Sequence, residues 1–289
     1  MIVITGATGT VGREIVRQLT ANGIQFLAMV RDTDRARRML GPDVDLIYGD
    51  YSKPESLDIA FQEATKVYLA SPSDEHQVQN ETNVVDAADR AGVDHIVKLS
   101  VMGASPYTDV GFFRFHYLVE MHIKSIGMPY TFLRPNTFMQ NLIGQAQSIM
   151  TRGQFYGSSD DGKVSWIDVR DIASVAATAL ARDTLVDRAF ELTGPEALSL
   201  NDVAGILSDA LGRRVEYVDL PDDAMRQALL DEGLPAWRAD DYVEFQRLMG
   251  ESLGSVVSPD AERVLGRPPI SFRRFADDHA QAFQQAQAA

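Results

Sequence analysis

The sequence predicts an α/β fold, a doubly wound parallel sheet followed by a smaller, mostly helical C-terminal substrate lobe. Two observations predict it. In the first half, short apolar runs alternate with helical patterns, and this alternation requires parallel strands joined by helical crossovers. The first apolar run, residues 2–5, passes directly into a glycine-rich turn and then into a helical pattern over 13–19. Strand, glycine turn and helix in this order are typical of a Rossmann-type sheet.

The remaining elements of the first half follow the same alternation. Further strands are predicted at 25–30, 45–48, 66–70, 94–100 and 130–133. Helices are predicted at 33–40, at 53–64 with Pro54 in the first turn, at 77–91 before Gly92, and at 112–125. The carboxyl ends of these strands are expected to share one ligand-binding crevice.

The second half is less regular. Helices are predicted at 138–151, 169–181 and 199–211, the last with Ser199 as its N-cap, and strands at 163–167, 189–193 and 215–218. Beyond residue 221 the pattern is mostly helical, with breaks at 233–235 and 267–269. We expect residues 1–150 to form the NAD(P)-binding domain and 151–289 the smaller substrate lobe, with parts interleaved.

Composition excludes several classes of protein. The chain of 289 residues has no cysteine, which excludes disulfides, thiolate metal sites and a thiol nucleophile. The histidines show no metal-ligand spacing, so no metal site is expected. A net charge of −14 without a basic tail argues against direct binding to nucleic acid. The first strand leaves no room for a signal peptide and no apolar stretch is long enough to span a bilayer, so a cytoplasmic protein with no membrane association is expected.

Residues 1–12 read MIVITGATGTVG and carry the strongest functional signal. Gly6 permits a sharp turn, Gly9 permits close approach of a pyrophosphate, and Gly12 permits close packing of the helix. The helix N-terminus adds free N–H groups and a positive dipole end. Thr8, Thr10 and Val11 complete this candidate cofactor loop. The spacing is G-x-x-G-x-x-G, and the alternative interpretation is a glycine turn that only closes a βα unit.

Residues at the ends of the second and third strands bear on the choice of cofactor. Arg31 suits a 2′-phosphate, because its guanidinium is a planar, charged fork, so NADP(H) is preferred. Asp32 keeps NAD(H) open, and the alternative interpretation of Arg31 is a solvated residue at a strand end. Asp50 is a candidate to lie beside the adenine amine, with a turn or helix cap as the alternative.

The sequence lacks the tyrosine–lysine pair of typical short-chain dehydrogenases, since Tyr117 is followed four positions later by Met121. His116 and Glu120 stand at that helix instead, one turn apart. We predict that His116 donates a proton or hydrogen bond and that Glu120 orients its imidazole. The alternative is a half-exposed pair with no chemistry.

These motifs together resemble one family. The segments ITGATGTVGREIVRQL, VRD, GDYSKPESL, HIVKLS, H-x-x-x-E and GMPYTFLRPNTFMQN are similar in order to the NmrA-like atypical short-chain dehydrogenase/reductases. That family includes type 2 quinone oxidoreductases, triphenylmethane reductase, azoreductase-like proteins and NADP-sensing regulators. The resemblance implies NAD(P) bound by the glycine loop with Arg31 near the 2′-phosphate. It also implies a nicotinamide pocket walled by Ala70, Ser71, Pro72, Ser100, Pro135, Asn136 and Phe138. A plant-reductase branch uses a catalytic lysine at the position aligned with His116, and this chain departs from it.

Three functional hypotheses follow from the resemblance. The first is an NAD(P)H-dependent reductase of a quinone-like or other small aromatic acceptor, with Phe113, Tyr117 and Phe138 stacking on the substrate. Core packing is the alternative for these aromatic residues. The second is a non-catalytic NADP sensor that signals to a protein partner, and the third is a tailoring enzyme for a polycyclic aromatic metabolite. A homodimer is compatible with each.

Overall fold

Short apolar segments build two sheets within residues 1–284, the part of the chain that the computed structural model describes. The strands are β1 Ile2–Ile4, β2 Phe26–Val30, β3 Leu46–Tyr48, β4 Lys66–Leu69, β5 His95–Leu99, β6 Tyr130–Pro135, β7 Gln154–Gly157, β8 Arg188–Leu192 and β9 Glu216–Asp219. Seven of these described strands form one sheet in the order β3-β2-β1-β4-β5-β6-β8, and β7 and β9 form the other.

The large sheet is parallel wherever its register is defined. Ile2 pairs with Phe26 of β2 on one side and with Lys66 of β4 on the other, and the β2–β3, β4–β5 and β5–β6 ladders are also parallel. The strand order reverses between β1 and β4, and ligands of such sheets bind at the carboxyl ends of the strands at this switch point. The predicted doubly wound, Rossmann-type fold is confirmed.

Helices connect the strands and cover the sheet. They are α1 Thr10–Ala21, α2 Thr33–Leu40, α3 Pro54–Ala60, α4 Gln77–Arg90, α5 Gly111–Ser125, α6 Ala146–Arg152, α7 Val169–Ala181, α8 Leu200–Leu211, α9 Asp222–Asp231, α10 Ala236–Gly250, α11 Asp260–Leu265 and α12 Phe272–Asp278. Local chemistry sets several of their starts. Asp32 caps α2 by accepting from the amide of Arg35, and Ser199 and Asp202 form the capping box of α8, which confirms Ser199 as an N-cap.

Two compact units divide the chain, and each has its own core. The first comprises Met1–Tyr107, Phe112–Pro135 and Val169–Glu191. In it, apolar residues of α3, α4 and α5 pack on the strands, and α1 is bonded to α7 through Gln18 and Ser174 at 2.9 Å. The second comprises Thr108–Gly111, Asn136–Asp168 and the chain from Leu192 onward. Its core joins α6, α8 and α12 to β7.

The sequence-based domains, 1–150 and 151–289, group the residues differently, because Val169–Glu191 returns to the first unit with α7 and β8. That residues 1–150 bind NAD(P) and residues 151–289 bind the substrate stays a prediction. Residues 285–289 of the second range lie outside the described residues.

In the second half one predicted strand is wrong, and one predicted helix is observed with a 3-10 first part. Residues 163–167 form no strand; Val164 and Ile167 make only isolated bridges, to Leu198 and Phe138. Residues 164–167 are all buried, so their apolar character reflects burial rather than pairing in a sheet. The predicted helix 138–151 is a 3-10 helix at Met139–Gln145 followed by α6, and Gly144, a weak helix former, lies near their junction.

Candidate functional site: a glycine loop and a buried ionic cluster

Two glycines of the loop after β1 have no room for a side chain. Gly6 has φ +57°, and a Cβ there would lie 2.7 Å from the carbonyl oxygen of Ala70. A Cβ on Gly12 would lie 2.2 Å from the carbonyl oxygen of Gly6. Gly12 therefore lets α1 pack directly against the loop, as predicted, although its close neighbour is the loop backbone rather than the strand.

The start of α1 offers unsatisfied donors. Gly9 is the N-cap, no side chain caps the helix, and its first turn holds no acidic residue. The first amides of a helix lack intrahelical acceptors, and the helix dipole favours an anion there. Gly9 and Thr10 are exposed, Thr8 is half-buried and Val11 is buried. The cradle fits a pyrophosphate, with Val11 contributing only its backbone.

Arg31 and Asp50 lie at the carboxyl ends of β2 and β3. Arg31 is exposed, and its guanidinium makes no hydrogen bond or ion pair with the described part of the chain. Asp32, in contrast, accepts from the Arg35 amide at 2.9 Å as a helix cap. Arg31 and Asp32 are the two candidates for contact with the ribose of the cofactor. Of these, only Arg31 has a side chain without a hydrogen bond to the described part of the chain.

The carboxylate of Asp50 is engaged within its own turn. It accepts from the amide and hydroxyl of Ser52 at 3.0 and 2.8 Å. Partial burial alone raises the pKa of Asp50, but these bonds and the charges of Lys53 and Arg31 leave that pKa below its ordinary value. These bonds show that Asp50 stabilises its own turn. A contact between Asp50 and the adenine of a cofactor stays a prediction.

The loop after β4 holds Ala70, Ser71 and Pro72. The carbonyl of Ala70 accepts from the hydroxyl of Tyr51 at 2.7 Å. Ser71 Oγ donates to Glu81 Oε1 at 2.7 Å, so this predicted pocket wall is bonded to α4. Its role against nicotinamide stays a prediction.

His116 on α5 is half-buried and faces a lysine that the sequence reasoning missed. Lys98 Nζ, on β5, lies 3.2 Å from His116 Nδ1. The amide nitrogen of Gln77 lies 3.3 Å from Nε2 and 3.4 Å from Nδ1. Burial, and then the charge of Lys98, hold the pKa of His116 well below its ordinary value. The imidazole is therefore neutral at neutral pH.

The prediction that Glu120 orients this imidazole is wrong. Glu120 is 1% exposed and forms an ion pair with Arg134 of β6, with Nε–Oε1 at 2.9 Å and Nη2–Oε2 at 2.5 Å. It also accepts from Ser100 Oγ at 2.5 Å. The one-turn spacing places Glu120 near His116 along α5, but a buried carboxylate requires a charged partner, and the guanidinium supplies it.

The other predicted residues divide between the two units. Phe113 is 6% exposed and packs edge-on against Phe112, with ring centroids 4.8 Å apart, which is the core-packing alternative. Tyr117 is half-buried, and Pro135 ends β6 in the first unit. Asn136 and Phe138 belong to the second unit. Asn136 Nδ2 donates there to Ser165 Oγ at 2.8 Å and to the carbonyl of Gly254 at 2.7 Å.

One signal could have identified the missed lysine. Lys98 interrupts the run HIVKLS, which forms a strand buried on both faces, and lysine is almost never fully buried unless paired. Glu81 of α4 is that partner, and both side chains are 0% exposed. Which acidic residue pairs with Lys98 is decided only by the tertiary structure.

Similarity searches give consistent results. A model described as NmrA-like family matches residues 1–261. NAD(P)H azoreductase of Xenophilus azovorans is 39% identical over 286 residues, which cover 99% of this chain and 100% of that protein. The crystal structure of an NADPH-dependent quinone oxidoreductase from Escherichia coli, complexed with NADPH, is 26% identical with a TM-score of 0.87. That match covers 96% of this chain and 99% of that one.

A more distant structure agrees in fold. Triphenylmethane reductase of Citrobacter sp., complexed with NADP(H), is 24% identical with a TM-score of 0.84, over 97% of this chain and 100% of that one. Among the described helices, none combines the length and apolar character that crossing a membrane requires.

Proposed function

Because the chain belongs to the NmrA-like family, we propose that it is an NAD(P)H-dependent reductase that transfers hydride to a quinone-like or other small aromatic acceptor. Family membership confirms the resemblance inferred from the sequence. The observation that carries the proposal is the glycine cradle, where a Cβ on Gly6 or Gly12 would strike backbone within 2.7 Å. The azoreductase and quinone oxidoreductase names of its relatives support the acceptor class.

The proposed cofactor is NADP(H), with NAD(H) accepted less well. Residues 6–12 hold the pyrophosphate, and the unengaged guanidinium of Arg31 holds the 2′-phosphate. When bound, the nicotinamide supplies a hydride. Asp50, residues 70–72, Ser100 and Pro135 complete the proposed pocket, all of them in the first unit.

His116 is the proposed hydrogen-bond and proton donor. A neutral imidazole donates through one nitrogen, and the reduced acceptor develops negative charge on the oxygen or nitrogen to be protonated. Tyr117, which is half-buried on the same helix as His116, is the proposed aromatic contact of the substrate. Glu120 serves by holding Ser100 and Arg134 in place rather than by contacting the imidazole.

We further propose a cytoplasmic protein without nucleic-acid partners, and a homodimer as its assembly. The net charge of −14 supports the absence of nucleic acid, because phosphate backbones select basic surfaces.

The test is titration with NADPH and NADH by fluorescence, followed by an acceptor screen with a benzoquinone, an azo dye and a triphenylmethane dye. NADPH binding with turnover of at least one class is expected. Tight NADPH binding without oxidation by any of these acceptors would reject the reductase and favour the sensor.

A further inference from the structure

The cluster around Lys98 is an ionic group enclosed in the first unit. The Lys98 and Glu81 side chains are 0% exposed and form an ion pair between β5 and α4. A buried ion pair is often no more stabilising than apolar residues of the same size. Stability therefore gives little reason for placing this pair between a strand and a helix.

The donors of Lys98 are fully assigned. The ammonium group donates to the carboxylate of Glu81, to the carbonyl of Leu99 at 3.1 Å and to His116 Nδ1 at 3.2 Å. An ammonium has three N–H groups and no acceptor, so Nδ1 must accept. A neutral histidine that accepts at Nδ1 carries its proton on Nε2.

The neighbouring amide faces that proton. Gln77 places its amide nitrogen 3.3 Å from Nε2 and 3.5 Å from Glu81 Oε1, while its own Oε1 is buried with no hydrogen-bond partner among the described residues. An amide nitrogen is a donor and cannot accept from Nε2–H, whereas an amide oxygen in the same place can. With its oxygen turned towards the ring, Gln77 accepts from Nε2–H and supports the same tautomer.

We propose that Lys98, held by Glu81, is a positioning residue that fixes His116 as the Nε2–H tautomer and returns a proton to Nδ1 when Nε2 gives its own away. The proposal rests on the reductase function proposed above. Hydride addition to a quinone leaves an oxyanion. That oxygen takes the Nε2 proton, Nδ1 takes a proton from Lys98, and Lys98 becomes a neutral amine whose proton is replaced through its hydrogen bond with Glu81. The histidine is neutral before and after the step.

A hydrogen-bonded path connects this cluster to the loop after β4. Ser71 is half-buried, and its hydroxyl donates to Glu81 Oε1 at 2.7 Å, while Glu81 Oε2 takes the Lys98 bond. The series Ser71, Glu81, Lys98 and His116 gives a route by which the proton lost from Lys98 is replaced.

The charged groups around His116 are few. Lys98 faces it from β5, and Glu81 of α4 lies behind Lys98. Glu120, on the same helix as His116, is turned to Ser100 and Arg134. The ionic setting of the imidazole is thus dominated by one cation.

The first experiment records the imidazole ¹⁵N shifts of His116 in the unliganded protein between pH 6 and 8, with assignment through His116→Gln. We expect a neutral ring protonated on Nε2 throughout this range. A ring protonated on Nδ1, or an imidazolium at pH 7, would overturn the proposal. Only the variant used for assignment has to fold for this result, and no reductase activity is needed.

The second experiment uses the double variant Lys98→Met/Glu81→Gln, which removes both buried charges together. The tautomer preference should be lost, and the pKa of His116 should rise because the neighbouring cation is gone. The kcat with a quinone should fall about 10- to 100-fold with little change in KM for NADPH. The rate of reduction of a cationic dye, which hydride transfer alone neutralises, should change little.

A matched control lies on the same two helices. His122 of α5 bonds to Asp86 of α4 at 2.6 Å but is partly exposed, and His122→Gln should leave kcat and the His116 shifts unchanged. If the His116 tautomer and the pH profile of kcat are unchanged in the Lys98→Met/Glu81→Gln variant, the positioning role is refuted. A native His116 signature in a protein that oxidises no NADPH would instead reject the proposed function alone.

Discussion

Replacing Arg31 with alanine isolates the contact proposed to distinguish the two cofactors. The side chain is exposed and makes no hydrogen bond or ion pair among the described residues, so its removal leaves no buried partner unsatisfied. Fold and thermal stability should stay within the range of a surface substitution, about 0.5 kcal/mol. Any effect on NADPH binding then reports on the cofactor rather than on the fold.

The expected loss follows from the type of contact. A hydrogen bond to a charged group contributes about 1.5–3 kcal/mol, and solvent exposure at a strand end reduces this through screening. We expect a loss of about 1–2 kcal/mol, which weakens NADPH binding about 5- to 30-fold. NADH lacks the 2′-phosphate, so its affinity should change by less than about twofold.

The assay is a fluorescence titration of both cofactors at low and high salt. Arg38→Ala is the matched control, because Arg38 is also exposed and stands in the last turn of α2. The control should change both affinities slightly and equally. The difference between wild type and Arg31→Ala should shrink as salt rises. Equal losses for NADPH and NADH, or a loss as large in the control, would refute the assignment of Arg31 to the 2′-phosphate.

Three further predictions test the site from other directions. Gly9→Asp should abolish NADPH binding, because the carboxylate repels a pyrophosphate. The protein should stay folded, since φ −77° and ψ 173° suit an ordinary residue and the added Cβ, 3.2 Å from the carbonyl oxygen of Gly6, requires only a small shift of the loop; circular dichroism and titration check this, and retained affinity would contradict it. Glu120→Gln should cost about 3–5 kcal/mol in urea unfolding, because it breaks a largely buried pair with Arg134; a loss below 1 kcal/mol would contradict it. The unfolded chain takes up a proton on His116 below its ordinary pKa of 6.5, whereas the folded chain does not. Wild-type stability should therefore fall between pH 6.5 and 5 more steeply than that of His116→Asn, and parallel slopes would contradict this.

The first half of the fold could be predicted from the sequence because its signals are local. Apolar runs separated by helical periods gave α2 at Thr33–Leu40 with its observed bounds and α5 to within one residue of its observed Gly111–Ser125. The strand β7 was missed because its four residues, Gln154–Gly157, pair with β9 some 60 residues away. Nothing near residue 154 indicates that partner.

The same limit applies to the site. Glycine spacing is a local property, so the cradle could be predicted down to Gly6 and Gly12. Whether Glu120 serves His116 or Arg134 depends on β6, which only the folded chain brings beside α5. Helix spacing identified Glu120 as the neighbour of His116 along α5. Only the tertiary structure shows that Lys98 is the residue that bonds to His116.

The partner that His116 does have changes the chemistry expected of it. In a tyrosine–lysine pair, the ammonium lowers the pKa of a group that becomes an anion. Beside an imidazole the same positive charge disfavours the cationic form, so Lys98 adds to burial, the larger cause, in lowering the pKa of His116. A neutral imidazole is a weaker acid than an imidazolium, and it supports acceptors that take hydride readily and need only one proton afterwards. The site should accordingly favour quinones and electron-poor dyes over simple ketones, whose reduction requires stronger stabilisation of an alkoxide.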